Sequence, residues 1–163
     1  MTATDDLTYN NARHAAQSGG TDLKAEPRLR TAVLTCMDAR LDPYAILGLG
    51  IGDVHILRNA GGVVTEDVLR SLTVSQRLLG TVEVVVIQHT ECGMLSVAEE
   101  ELKLQIRQDA GVEPDFSIEA FSDLDSSVRK SVDLLRRSPF LPHRDGVRGF
   151  VYDIRTGLLR EVL

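Results

Sequence analysis

The stretch that decides the fold is residues 82–93, which reads VEVVVIQHTECG. Its first part, residues 82–88, is a short apolar run rich in β-branched side chains, the pattern of a strand buried inside a sheet. His89 and Cys92 follow directly and mark the point where this strand ends. A buried strand followed by side chains that bind metals or attack substrates predicts a functional site at the edge of a sheet.

The rest of the chain alternates further predicted strands with predicted helices. Apolar runs and turn residues predict strands over residues 31–35, 54–57, 147–154 and 158–162, the last pairing back as a hairpin. Helical periodicity predicts helices over residues 43–47, 65–79, 94–108 and 118–137. Strands that alternate with helices indicate an α/β fold, with a mainly parallel sheet flanked by helices.

Composition and charge narrow the class of protein. The 163 residues are 43% hydrophobic and 26% charged, which is ordinary for one soluble domain. Two cysteines are too few for a disulfide scaffold or a four-cysteine zinc ribbon. The net charge of −6 argues against a nucleic-acid-binding surface, which needs a basic stripe. The sequence has no apolar run of signal-peptide or membrane-spanning length, so we expect a cytoplasmic protein without a membrane partner.

The polar N-terminal segment differs from the rest of the chain. We therefore expect two parts, an arm over residues 1–26 and a single α/β domain over residues 27–163. Acidic residues near Thr4 indicate the first turn of a helix that continues to about Gln17. This helix has few large apolar side chains to anchor it, so we expect it either to fray or to dock on another surface, such as a partner subunit.

Two short segments carry the residues that suggest chemistry. Cys36 comes directly after one predicted strand, and His89 and Cys92 come directly after another. If these strands are neighbours, their carboxyl ends bring the two segments together. Two thiolates and an imidazole suit zinc, and three protein ligands leave one coordination position open, as in catalytic sites. We also expect Cys92 to begin a helix whose dipole favours its thiolate.

Asp38 and Arg40 follow the first cysteine at short spacing. Arg40 can hold the carboxylate in a bidentate pair, which lowers the pKa of Asp38 and fixes its orientation. Asp38 then either accepts a hydrogen bond from a water at the metal or binds the metal itself. Taken singly, these features are more often core cysteines or a solvated surface pair. Their joint placement at predicted strand ends is what makes the pattern specific.

These motifs resemble those of the β-class carbonic anhydrases. The matching segments are Cys-x-Asp-x-Arg from Cys36, His-x-x-Cys-Gly from His89, and Arg-Asn-Ala-Gly from Arg58. The resemblance runs from about residue 31 to residue 154, and the short chain is similar to the compact archaeal and actinobacterial branch. It implies three zinc ligands, Cys36, His89 and Cys92, and a catalytic dyad, Asp38 and Arg40.

The same resemblance implies the assembly as well as the site. We expect a four-stranded parallel sheet with an added antiparallel strand, in a homodimer or a multiple of dimers with the N-terminal helical arm across the partner. Two positions depart from the family pattern. Ala39 stands where the family more often has serine, and Ser75 aligns with a tyrosine of plant members. Neither departure affects the metal ligands, but both bear on the pocket.

The resemblance implies a lyase that reversibly hydrates carbon dioxide to bicarbonate and a proton. Because this substrate is small and uncharged, we expect a small and mostly apolar pocket. The residues expected to line it are Asn59, Ala60, Gly61, Val63 and Gly93. Two alternatives stay open. Relatives with these motifs include hydrolases of carbon disulfide and carbonyl sulfide, and a non-catalytic zinc- or bicarbonate-binding regulatory domain would have a closed site with Asp38 as a fourth ligand.

Overall fold

The computed structural model describes residues 2–18 and 20–162, so Met1 and Gly19 of the predicted arm and Leu163 of the predicted domain lie outside the described residues. Within these residues five strands form one sheet: β1 (Thr31–Cys36), β2 (Val54–Asn59), β3 (Glu83–His89), β4 (Val147–Tyr152) and β5 (Leu159–Val162). Their order is β2-β1-β3-β4-β5, with parallel pairing except between β4 and β5. The predicted four-stranded parallel sheet with an antiparallel C-terminal strand is confirmed.

The described part of the chain also forms five α-helices: α1 (Ala3–Ser18), α2 (Pro43–Leu47), α3 (Glu66–Leu78), α4 (Glu99–Ala110) and α5 (Leu124–Arg137). Two helix starts were predicted too early. Helix α4 begins not at residue 94 but at Glu99, where three successive glutamates favour the first turn. Helix α5 begins not at residue 118 but after Asp123, which caps it by accepting a hydrogen bond from the Ser126 amide. Among the described residues, no helix is both long and apolar enough to cross a membrane.

Helices α3 and α5 pack on one face of the sheet. Val68 and Leu72 of α3, and Val128 and Leu135 of α5, are buried in one cluster with alternate residues of β1, β3 and β4. Gly149 of β4 allows α5 to come close, because a Cβ there would lie 2.5 Å from the Val128 side chain. This packing makes the sheet a rigid platform for the loops at its carboxyl edge.

The register of β1 against β3 brings the two motif segments together. Thr35 of β1 pairs with Ile87 of β3, so Cys36 and His89 both end their strands at the same edge of the sheet. The neighbouring placement of these strands, on which the prediction of a joint site depends, is therefore confirmed.

Helix α1 stands apart from the core. All sixteen of its residues are exposed, including two large apolar side chains, Leu7 and Tyr9, which are 68% and 66% exposed. The predicted polar helix is present, and none of its residues is buried against its own domain.

Candidate metal centre

Three potential ligand atoms meet at the carboxyl edge of the sheet. Cys36 ends β1, His89 ends β3, and Cys92 lies in the loop that follows β3. The two sulfurs are 3.9 Å apart, and the two sulfurs and a ring nitrogen of His89 all lie within 4.8 Å of one another. All three residues are buried. The structure thus brings together the three residues that the sequence predicted as ligands.

His89 presents its Nε2 atom to this group. Its Nδ1 donates a hydrogen bond of 2.9 Å to the Thr90 carbonyl, which leaves the lone pair of the neutral ring on Nε2. Nε2 is buried and has no hydrogen-bond partner among the described residues. A buried polar atom without a partner is costly, and a metal ion would satisfy it. Two sulfurs and one imidazole nitrogen form a donor set that fits zinc.

The two thiols interact as a close pair. The Cys92 thiol stabilises a thiolate on Cys36, which outweighs the cost of burial and lowers the pKa of Cys36 to about 4. The same contact, together with burial, raises the pKa of Cys92 well above its usual value. A single 3₁₀ turn, Gly93–Leu95, follows Cys92. The prediction of a helix dipole acting on this thiol is therefore wrong, and the electrostatics of the pair come from its immediate neighbours.

The pKa of His89 reflects opposing effects. Burial acts to lower it, but the nearby Cys36 sulfur and the Thr90 carbonyl outweigh burial, so the pKa is raised above its usual value. Metal binding needs the neutral ring and deprotonated thiols, so it displaces protons from this group.

Arg40 holds Asp38 beside the three ligand atoms. It donates to the carboxylate from its backbone amide and its Nε, both at 2.9 Å, and from its Nη2 at 2.7 Å. The guanidinium hydrogen bonds keep the pKa of Asp38 well below its usual range, so the carboxylate is ionised at neutral pH. Its Oδ2 lies 3.7 Å from His89 Nε2. The predicted bidentate pair is present, with its carboxylate directed towards the ligand group.

Arg58 holds the backbone of the segment that carries Cys36 and Asp38. Its Nε donates to the Cys36 carbonyl at 3.0 Å, and its Nη2 donates to the Asp38 carbonyl at 2.8 Å. The Met37 amide donates to the Asn59 carbonyl at 2.8 Å. These bonds continue the pairing of β1 with β2 beyond the strand ends, and they fix the turn that presents the ligand and the carboxylate.

Gly62 lies directly behind the first ligand. It has a φ of +63°, and a Cβ there would lie 2.9 Å from the backbone nitrogen of Cys36 and 2.9 Å from the carbonyl carbon of Thr35. We expect Gly62→Ala to lower the free energy of unfolding by about 2–4 kcal/mol, because the left-handed backbone and the fixed backbone neighbours both oppose a methyl group.

A matched control for this substitution is Gly80→Ala. Gly80 has a similar φ of +72° but faces open space, so we expect a loss of about 1 kcal/mol from backbone strain alone. Urea unfolding measures both variants. Equal losses would contradict the close packing of Gly62 against β1.

A depression of about 300 Å³ opens beside the two cysteines. Ala60, Gly61 and Gly93 line it, where the sequence predicted a substrate pocket. Asn59 and Val63 instead line a neighbouring, mostly apolar depression of about 360 Å³. There the Asn59 side-chain oxygen accepts a hydrogen bond from the Val63 amide at 3.0 Å, and its NH₂ group donates to the Val63 carbonyl at 2.8 Å.

Three further side chains line the first depression, and the sequence did not identify them: Met37, Met94 and Val97. Met37 directly follows Cys36, and Met94 lies two residues after Cys92. This closeness to the motif cysteines is the sequence signal that could have identified both methionines.

Ser75 contributes to a different part of the molecule. It is buried, and its hydroxyl hydrogen-bonds His55 Nδ1 and Thr81 Oγ1, both at 2.8 Å. His55 Nε2 in turn donates to the Ala25 carbonyl at 2.9 Å. Ser75 therefore joins α3 to β2, and the 300 Å³ depression has a different lining.

Comparison with known proteins agrees with this geometry. A family model described as carbonic anhydrase matches residues 31–159. The chain is 44% identical over 162 residues to β-carbonic anhydrase 1 of Mycobacterium tuberculosis, covering 99% of both chains. The chain belongs to the β-carbonic anhydrase family. Its fold is similar to that of a carbonic anhydrase from Streptococcus mutans, with a TM-score of 0.92, 41% identity, and coverage of 100% of this chain and 99% of the other. A carbon disulfide hydrolase of Acidithiobacillus thiooxidans is 32% identical and covers 80% of this chain and 76% of its own length.

Proposed function

We propose that this member of the β-carbonic anhydrase family binds zinc and catalyses the reversible hydration of carbon dioxide to bicarbonate and a proton. The observation that carries the proposal is the buried, unpartnered Nε2 of His89, which faces the sulfurs of Cys36 and Cys92. These three residues would hold the ion. The reducing cytoplasm keeps cysteine thiols available as ligands, so we propose that the protein is cytoplasmic.

The chain's own residues supply what the reaction needs around the metal. A zinc ion held here would activate water as a nucleophile at neutral pH. Asp38 accepts a hydrogen bond from the nucleophile and orients it, while Arg40 keeps this carboxylate ionised and in place. Small residues such as Gly61 and Gly93, beside Met94, leave a largely apolar space that suits a small, uncharged substrate.

The two alternative functions have less support. Identity to the carbon disulfide hydrolase of A. thiooxidans is 32% over part of each chain, against 44% over nearly the full length of the mycobacterial relative. A closed regulatory site would need Asp38 on the metal. Three hydrogen bonds from Arg40 hold the carboxylate instead, which favours a site with one open position.

A stopped-flow pH–rate profile tests the proposed activity. We expect zinc-loaded protein to hydrate carbon dioxide with a turnover that rises between about pH 6 and about pH 9, and chelator-treated protein to fall to the uncatalysed rate. Carbon disulfide is assayed on the same sample as the competing substrate. An uncatalysed rate at every pH, with one zinc per chain, would favour a binding module instead.

We further propose that residues 1–26 form an arm whose helix α1 docks on a second copy of this chain, giving a dimer or a multiple of dimers. The support is the full exposure of α1, together with its apolar residues Leu7 and Tyr9. Burying such side chains on a partner is favourable.

We expect the double variant Leu7→Asp/Tyr9→Asp to shift the mass measured by light scattering from dimer to monomer. Leu78→Asp, at an exposed position of α3, is the control. A dimer that persists in the arm variant would contradict the docking.

A further inference from the structure

An ion pair joins the loop that carries Cys92 to the turn between β4 and β5, and its two residues lie outside the zinc-ligand set and the Asp38–Arg40 pair. Arg155 Nε donates to Glu91 Oε1. Glu91 in turn meets Arg40 twice: its carbonyl accepts from Nη2 at 3.0 Å, and its Oε2 lies 3.8 Å from Nη1. We infer that Glu91 and Arg155 are positioning residues that hold Arg40, and through it Asp38, for the reaction. This inference rests on the function proposed above.

The backbone of Glu91 is shaped for these contacts. Glu91 has a φ of +57°, a left-handed conformation that residues other than glycine rarely adopt. The preceding residue is anchored to β4, because the Thr90 amide donates to the Tyr152 carbonyl and the Thr90 hydroxyl accepts from the Ile154 amide, both at 3.0 Å. These bonds fix the start of the loop to the end of β4. They leave both the carbonyl and the carboxylate of Glu91 near Arg40.

The turn that carries Arg155 is equally well defined. The Asp153 carboxylate accepts from the amides of Arg155 and Thr156 at 2.8 and 2.9 Å, and the Asp153 carbonyl accepts from the Gly157 amide at 2.8 Å. The Arg155 side chain is 80% exposed, so its ion pair contributes little to global stability. Its effect is instead expected on the orientation of the groups that Glu91 contacts.

Arg40 is held between two acceptors of the chain. Its Nη2 lies 2.7 Å from Asp38 Oδ2 and 3.0 Å from the Glu91 carbonyl. A guanidinium fixed from both sides keeps its planar fork aligned with the Asp38 carboxylate. Without the negative charge at position 91, the loop loses its ion pair with Arg155 and Arg40 Nη1 loses its contact with Oε2. The Glu91 carbonyl is then held less firmly against Arg40, and the direction of Asp38 towards the ligand group becomes less defined.

The test uses full-length, zinc-loaded protein and measures kcat per bound zinc, KM and zinc content. We expect Glu91→Gln to lower kcat about tenfold and Arg155→Gln about threefold, with KM and zinc content unchanged. Arg155→Lys, which keeps the charge, recovers most of the loss. The control is Arg148→Gln, another exposed arginine of the β4–β5 hairpin, which pairs with Glu161 at 2.7 and 2.6 Å and is expected to leave kcat unchanged.

A charge-swapped double variant separates positioning from simple stabilisation. Glu91→Arg combined with Arg155→Glu restores an ion pair between loop and turn but places a cation beside Arg40. We expect its melting temperature to stay close to that of the wild type while kcat stays low. Recovery of kcat in the swap, or wild-type kcat in Glu91→Gln, would overturn the inference. A wild-type protein without zinc-dependent hydration would instead contradict the proposed function, so the two failures are distinguishable.

Discussion

Replacing His89 with alanine is expected to produce a folded protein that no longer retains zinc. In the proposed site the imidazole is one of three protein ligands, so we expect its loss to weaken zinc binding by about 10³-fold. The sequence has only two cysteines, both already used at the site, so no spare thiol can take its place. Hydration activity should fall to the uncatalysed rate in the same sample. Zinc per chain after dialysis against a chelator, measured by mass spectrometry, and stopped-flow rates give the two readouts.

The matched control is His143→Ala. His143 is exposed, and its backbone amide rather than its ring donates to Gln76, so the fold should not depend on the imidazole. His89 is fully buried, so circular dichroism and thermal melting must show that His89→Ala still folds. Cys92→Ala tests the same assignment through a second ligand. One zinc per chain with full activity in Cys92→Ala would contradict the ligand set.

The sheet was predictable from sequence because each strand is a short run with strong local character. The run over residues 82–88 is apolar and β-branched, and the structure places β3 there with a difference of one residue at each end. The starts of α4 and α5 were not predictable in the same way. Apolar periodicity extended both helices towards their N-termini, whereas Glu99 and Asp123 decide where the backbone enters the helix.

The candidate ligands were predictable because strand ends on one sheet edge have a simple geometry. What surrounds them was not, since it depends on contacts between residues far apart in sequence. Gly62 packs behind Cys36, and Arg58 donates hydrogen bonds to the carbonyls of Cys36 and Asp38. Arg155, in a turn 64 residues further along the chain, donates to Glu91. Such contacts are set by the tertiary packing, and the local sequence carries no periodic or capping signal for them.

Replacing Arg40 with methionine is expected to remove most of the turnover while zinc is retained. The side chain is 48% exposed, so the fold should tolerate the change. We expect kcat to fall by about 10²–10³-fold, because Asp38 loses the hydrogen bonds that orient it. Arg40 holds the pKa of Asp38 well below its usual range, so the wild-type carboxylate stays ionised as the pH falls. Without Arg40 that pKa rises towards the value of a free carboxyl, about 4, which still lies below the pH range of turnover, so we expect a lower kcat at every pH with the same pH midpoint.

A second variant separates the two consequences of losing Arg40. A carboxylate released from its partner is free to bind the metal in competition with substrate, and Asp38→Ala removes that competitor. The double variant Asp38→Ala/Arg40→Met should therefore be faster than Arg40→Met alone. In cobalt-substituted protein, azide should change the visible spectrum of the wild type and the double variant, but not of Arg40→Met. Arg70→Met, at an exposed arginine that pairs with Asp67 in the same helix, is the control. A double variant no faster than Arg40→Met, with azide binding intact in both, would mean that Arg40 orients Asp38 without keeping it from the metal.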